Sequence, residues 1–65
     1  MRDINGEEFQ KGDTLKVIKA VQCGLEIQVG DVVECINDDG TRICRYKNLS
    51  TNQTFFYYND HLQKL

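Results

Sequence analysis

The sequence predicts a small all-β domain: a five-stranded barrel with one short helical turn near its C-terminus. Three observations carry this expectation. Apolar residues recur at every second position in short runs, turn-forming residues separate the runs, and no stretch sustains a helical period. The 65 residues make one domain. A chain this short buries only about 60% of its unfolded surface, so its core is fully committed to stability and leaves no volume for a deep substrate cavity.

The elements follow in order. Asn5-Gly6, between Ile4 and Glu7, marks a turn or small hairpin. Residues 1–10 are therefore expected to form a strand or arm, and residues 11–65 the barrel. After Lys11-Gly12-Asp13, the run Thr14–Ile18 places Leu15 and Val17 on one face. Val21, Cys23, Leu25, Ile27 and Val29 then alternate with polar residues and Gly24, the pattern of extended chain with one buried side and a bend at the glycine. Gly30-Asp31 opens the next strand, Val32–Ile36. Gly12-Asp13 and Gly30-Asp31 stand eighteen residues apart, each before a five-residue β segment that ends in isoleucine. Glycine there supplies the tight backbone and aspartate bonds nearby amides.

Asp39-Gly40 lies between two alternating segments and predicts a two-residue hairpin turn. That turn would set Cys35 opposite Cys44, Val33 opposite Tyr46, Glu34 opposite Arg45 and Ile36 opposite Ile43. Apolar residues then meet on one face and an ion pair forms on the other, so the register is chemically consistent. The turn-rich stretch Leu49–Gln53 joins Thr41–Lys47 to Thr54–Tyr58. Centred on Thr51-Asn52, it would pair Tyr46 with Tyr57, Arg45 with Tyr58 and Lys47 with Phe56. Asn59-Asp60-His61-Leu62 reads as one helical turn capped by Asn59 and anchored by Leu62, with Gln63–Leu65 as a last short strand.

At this point the chain resembles a family. Lys11-Gly12-Asp13-Thr14-Leu15-Lys16-Val17-Ile18, followed by Leu25 and Val29-Gly30-Asp31-Val32-Val33, looks like the SH3-like barrels of the KOW and Mib kind. The ending Tyr57-Tyr58-Asn59-Asp60-His61-Leu62-Gln63-Lys64-Leu65 is similar to their closing turn and strand. The resemblance covers about residues 11–65. It implies an SH3-like fold and a stand-alone bacterial or bacteriophage protein, in the second case a modulator or inhibitor of a host protein. The clustered basic residues and additional glycines of ribosomal KOW modules are missing, which counts against direct RNA binding.

Charge and thiols narrow the function classes. The net charge of −2 excludes a strongly basic nucleic-acid module. It is unevenly spread: residues 1–40 hold nine acids against Arg2, Lys11, Lys16 and Lys19, whereas residues 41–65 hold Arg42, Arg45, Lys47 and Lys64 against Asp60 alone. No apolar run has the length of a membrane span or signal-peptide core. Three cysteines without C-x-x-C spacing fit reduced thiols, so a cytoplasmic protein is expected. Asn48-Leu49-Ser50 and Asn52-Gln53-Thr54 match the glycosylation pattern and read as turn residues instead.

The chemistry-bearing residues point away from catalysis. Cys23, Cys35, Cys44 and His61 could in principle hold zinc, but structural zinc sites draw on closely spaced ligand pairs, and buried thiols are ordinary core residues. His61 is the only histidine and sits on the predicted helical turn beside Asp60, with no accessible nucleophile in the pattern. The expectation is therefore no enzyme, no metal and no cofactor. The aromatic run Phe55-Phe56-Tyr57-Tyr58 is more telling, since a strand with one wet face buries only alternate members. Phe55 and Tyr57 go inward; Phe56 and Tyr58 stay outside with Val32, Glu34, Ile36, Ile43, Arg45 and Lys47, unless residues 1–10 cover them. Protein interfaces are rich in such residues. The expected partner is another protein, a host protein or a second copy of this chain. It would be bound through Ile43, Arg45, Lys47, Phe56, Tyr58, Glu34 and Ile36. The alternative is nucleic acid, held by Arg42, Arg45, Lys47 and Lys64 with an exposed aromatic stacking on bases.

Overall fold

A computed structural model describes residues 1–20, 27–37 and 42–65. They form five strands: β1 (Thr14–Val17), β2 (Val32–Asn37), β3 (Ile43–Asn48), β4 (Thr54–Tyr58) and β5 (Leu62–Lys64). A 3-10 turn, Asn59–His61, joins β4 to β5. The strands make one antiparallel sheet in the order β4-β3-β2-β1-β5. The all-β class, the five strands and the single helical turn before the last of them are as the sequence predicts.

That order forces the sheet to curl. β4 and β5 lie at its opposite edges, which in a flat sheet would stand four strand spacings, roughly 19 Å, apart. Yet only Asn59–His61 separate Tyr58 from Leu62, and four residue steps reach at most about 14 Å even when extended. The inner face thus wraps one core. Leu15, Val17, Val33, Cys35, Cys44, Tyr46, Phe55, Tyr57 and Leu62 come from all five strands, and Phe9 joins them from the N-terminal segment.

β1 and β2 are held together by a reciprocal device. In Gln10-Lys11-Gly12-Asp13 the amide of Asp13 donates to the Gln10 carbonyl, and the Asp13 carboxylate accepts from the Gln10 amide, both at 3.0 Å. Gln28-Val29-Gly30-Asp31 repeats both bonds at the same distances. Gly12 and Gly30 have φ of 97° and 102°, a region L-residues avoid. In each copy the Gly-Asp pair opposes a single residue of the other strand, a glycine-type β-bulge. The Gly12 amide donates to Cys35 and the Cys35 amide to Asp13; likewise the Gly30 amide donates to Val17 and the Val17 amide to Asp31. These contacts exchange under a pseudo-two-fold axis between Leu15 and Val33, which face each other. The relation extends outward, mapping Leu49 N–Val32 O onto Leu65 N–Thr14 O, both 3.1 Å.

The N-terminal segment turns at Asn5-Gly6, as expected, with Gly6 at φ 76° and a bridge between Arg2 and Glu8. Asp3 organises it. This carboxylate is only 4% exposed and accepts the amides of Asn5 (2.9 Å), Glu7 (2.8 Å) and, across the molecule, Lys64 (2.8 Å). Burial pushes its pKa up, but the three amides outweigh that and hold it below the ordinary carboxylate value. Residues 1–10 pack on the core through Phe9 and Met1, whose Sδ lies 2.9 Å from Cys44 Sγ, and on β5 through Ile4 N–Leu62 O.

Several expectations need correction. Val33 faces Asn48, Glu34 faces Lys47 and Cys35 faces Tyr46, so β2 and β3 are two residues out of the Asp39-Gly40 register. A bulge at Ile36 then sets Asn37 opposite Arg45. Asp39-Gly40 itself lies outside the described residues. The cause is Asn48: in this register its buried amide donates to the Asp31 carboxylate (3.3 Å), while its side-chain oxygen and backbone carbonyl accept the amides of Ser50 and Asn52. Asn52, at φ 63°, completes that loop, and β3 and β4 are likewise shifted by two: Tyr46 faces Phe55, Cys44 faces Tyr57 and Arg45 faces Phe56. A shift of two preserves which side chains point inward. Asn59 does not cap the 3-10 turn; Tyr58 holds that position, and Asn59 is buried with its Oδ1 accepting from Tyr46 Oη at 2.6 Å. The last strand starts one residue early, at Leu62. Of the alternating run from Val21, residues 21–26 lie outside the described residues. Ile27 packs on the core, but Val29 is exposed because it occupies the turn before Gly30.

Two stability outcomes follow. A methyl group on Gly30 would meet open space, so Gly30→Ala carries only the backbone cost, about 1–2 kcal/mol of unfolding free energy by denaturant titration. D-alanine at that position should restore it. Because the folded-state pKa of Asp3 is depressed, its contribution is complete above the unfolded value of about 4 and is lost as pH falls through the folded value. Asp3→Asn should therefore be less stable than wild type at pH 7, with the gap closing towards pH 2 in the same titration.

Candidate functional site

The outer face of the sheet is built by the residues that alternate with the core. On β4 these are Thr54, Phe56 and Tyr58; on β3, Ile43, Arg45 and Lys47; on β2, Val32 and Glu34. Phe56 is 60% exposed, Tyr58 40% and Ile43 38%, large apolar surface that a small monomer rarely leaves contiguous without use. Ile43 pairs with Tyr58 and Arg45 with Phe56, so the four form two adjacent rows across β3 and β4.

Arg45 is held in place without being neutralised. Its guanidinium lies 5.8 Å from the centre of the Phe56 ring and donates to Thr54 Oγ1 at 3.2 Å. Among the described residues no carboxylate pairs with it. Lys47, half-buried, stands beside Glu34 across the strands. Ile36 belongs to the bulge and has no partner in register, so it sits at the margin of the face and not opposite Ile43. The N-terminal segment packs on the core through Phe9 and Met1 and on β5 through Ile4, and Met1 and Arg2 line a depression with Arg42, Asn59 and Asp60 beside the ends of β3 and β4.

The four cations of the nucleic-acid alternative are not brought together. Arg45 and Lys47 share the outer face. Arg42 precedes β3 and lies 3.8 Å from Asp60, and Lys64 lies 4.0 Å from Asp13. Lys64 lines an open depression of about 410 Å³ with Met1, Glu8, Phe9, Gln10 and Asp13, whose acids would repel phosphate.

The described residues weighed for catalysis and metal binding lie on separate elements. Cys35 and Cys44 are both buried on the inner face, and Cys35 is across from Tyr46; Cys23 lies outside the described residues. Asp60 and His61 do meet, with His61 Nδ1 2.9 Å from Asp60 Oδ1. The hydrogen bond from His61, with Arg42 behind it, lowers the Asp60 pKa. The ring of His61 packs against Tyr58 and Tyr57, with centroids at 5.1 and 5.8 Å. Among the described residues no three His, Cys, Asp or Glu side chains gather to hold a metal ion, and no helix is long and apolar enough to cross a membrane.

None of the protein-family models, curated proteins or solved structures compared with the chain matches it.

The division into faces has a direct consequence for stability. Phe56→Ala should change unfolding free energy by less than about 1 kcal/mol, since the ring is mostly in water already. Tyr46→Phe removes one oxygen yet should cost about 1 kcal/mol, because it deletes the buried 2.6 Å hydrogen bond from Tyr46 Oη to Asn59 Oδ1. Thermal or denaturant unfolding of the two variants compares them.

Proposed function

We propose that this chain is a non-enzymatic protein-binding module that acts through the outer face of β3 and β4. Phe56, Tyr58 and Ile43 supply the apolar contact area. Arg45, oriented by Phe56 and Thr54 but without a carboxylate among the described residues, supplies the specific contact. That single arrangement carries the reading: an arginine already ordered against an exposed ring loses little entropy when it binds, and its charge is still available. The favoured partner surface is apolar with a carboxylate near its centre. In the SH3-like reading of the fold, such a chain is a small modulator of another protein, and a phage-encoded inhibitor of a host protein is the concrete form of that reading.

The separation of Arg42 and Lys64 from Arg45 and Lys47 leaves the nucleic-acid alternative with two adjacent cations on an acidic chain. Immobilised wild type and the double variant Arg45→Ala, Phe56→Ala are compared for the proteins each retains from lysate. Loss of specific partners by the folded double variant is the expected result. Equal recovery by both proteins removes the site, and steeply salt-dependent retention on heparin would favour the nucleic-acid reading instead.

A further inference from the structure

The two edges of the sheet are treated differently. At β5, the carbonyl of Leu62 accepts the Ile4 amide and the amide of Lys64 donates to the Asp3 carboxylate, both at 2.8 Å. These are backbone groups that β1 does not use, so the N-terminal segment closes that edge. At β4, the bonds Asn48 N–Gln53 O and Asn59 N–Arg42 O fix the phase of the ladder. With Tyr57 opposite Cys44 and Phe55 opposite Tyr46, the backbone groups of Phe55 and Tyr57 turn to β3. The N–H and C=O groups of Thr54, Phe56 and Tyr58 point the other way, and among the described residues nothing bonds them.

Open edges are usually blunted by lysine, proline, a bulge or a covering segment. β4, Thr-Phe-Phe-Tyr-Tyr, carries no charge and no proline, and its pairing with β3 runs without a register shift. We infer that β4 is a strand-addition edge and that its occupant is β4 of a second copy, paired antiparallel about a two-fold axis at Phe56. In that register Phe56 faces its counterpart and Thr54 faces Tyr58, so all the outward backbone groups of the three residues are satisfied at once. The Phe56 pair adds an aromatic cross-strand contact. No like charges are opposed. The Arg45 backbones of the two copies are separated by three strand spacings, roughly 14 Å, and each guanidinium reaches to Thr54 of its own copy, the two Thr54 residues lying at opposite ends of the paired strands. The contact rests on the backbone edge and shares only the Phe56 ring with the protein-binding reading above; N-methylation, which keeps that ring, separates the two.

The test uses the full chain. Amide hydrogen exchange by NMR is followed over a concentration series alongside sedimentation velocity. The amides of Phe55 and Tyr57 should be protected throughout, while those of Thr54, Phe56 and Tyr58 gain protection only as dimer forms. Chemical ligation at Cys44 gives a second form with N-methyl-Phe56, which blocks the outward amide and leaves the β3 ladder and the side chain intact. It should raise the dimer dissociation constant at least ~30-fold, since the symmetric contact loses two hydrogen bonds, with unchanged circular dichroism. A wild type that stays monomeric with those three amides unprotected at every concentration overturns the inference. So does a dimer that N-methylation leaves unweakened, because it must then form through another surface.

Discussion

Everything in this sheet leans on the two Gly-Asp bulges. Each places a glycine at a positive φ that an L-residue resists, and each sets its Gly-Asp pair against one residue of the opposing strand: Cys35 for Gly12-Asp13, Val17 for Gly30-Asp31. The two devices lock each other, because the strand that leaves one bulge supplies the residue that closes the other. Leu15 and Val33 are thereby fixed face to face at the centre of the core. From that centre β5 takes the same place beside β1 that β3 takes beside β2, and Asp13 and Asp31 reach Lys64 and Asn48 at equivalent positions. The symmetry then ends. On the outer side of β3 lies a full strand, β4; on the outer side of β5, among the described residues, lies only the turn made by residues 1–10. The molecule's one-sidedness begins there.

How much of this was legible from the residues depended on which property was asked for. Inward or outward orientation is a property of alternation, and alternation is written in the chain: Val33 and Cys35, Cys44 and Tyr46, and Phe55 and Tyr57 all go inward as their period predicts. Register is a property of loops, and there local turn chemistry misled. The register drawn from Asp39-Gly40 is two residues off, and the described strands answer instead to Asn48, a residue that reads as an ordinary loop amide. Its buried side chain and carbonyl join the β2 bulge to the loop before β4, and both hairpins slide by two residues to satisfy it. An even slide leaves the same side chains pointing outward, so the composition of the outer face does not depend on the register.

The polar groups inside the fold were the least visible. Asp3 resembles any surface acid near a terminus, and only its three amide partners, one of them 61 positions away, give it a structural role. Asn59 has the composition of a helix cap but serves as the acceptor that lets Tyr46 be fully buried without stranding its hydroxyl. In both cases the partner comes from a distant part of the chain, so no local pattern could have named it. The same holds for Arg42 and Lys64, whose grouping with Arg45 and Lys47 rested on sequence proximity and net charge. The fold gives each of the two an aspartate instead.

The placement of function follows from what the core consumes. Every strand contributes its inward side chains to a single cluster, and the N-terminal segment adds Phe9 to it. One open depression is walled by Glu8, Asp13 and Lys64, of which Asp13 and Lys64 lie 4.0 Å apart. What remains is the outside, and the outside is not uniform. On the β5 flank a buried carboxylate closes the backbone edge, whereas the β4 flank keeps its exposed rings and, among the described residues, nothing bonds its outward backbone groups. An acidic chain that held Arg45 only for solubility would gain more by giving it a carboxylate neighbour, as Arg42 and Lys64 have. Arg45 instead lies along Phe56, which orients the guanidinium and shields one side of the ring without cancelling the charge. An ordered cation on an exposed aromatic surface is poorly suited to being left in water and well suited to meeting an acid at the centre of an apolar contact.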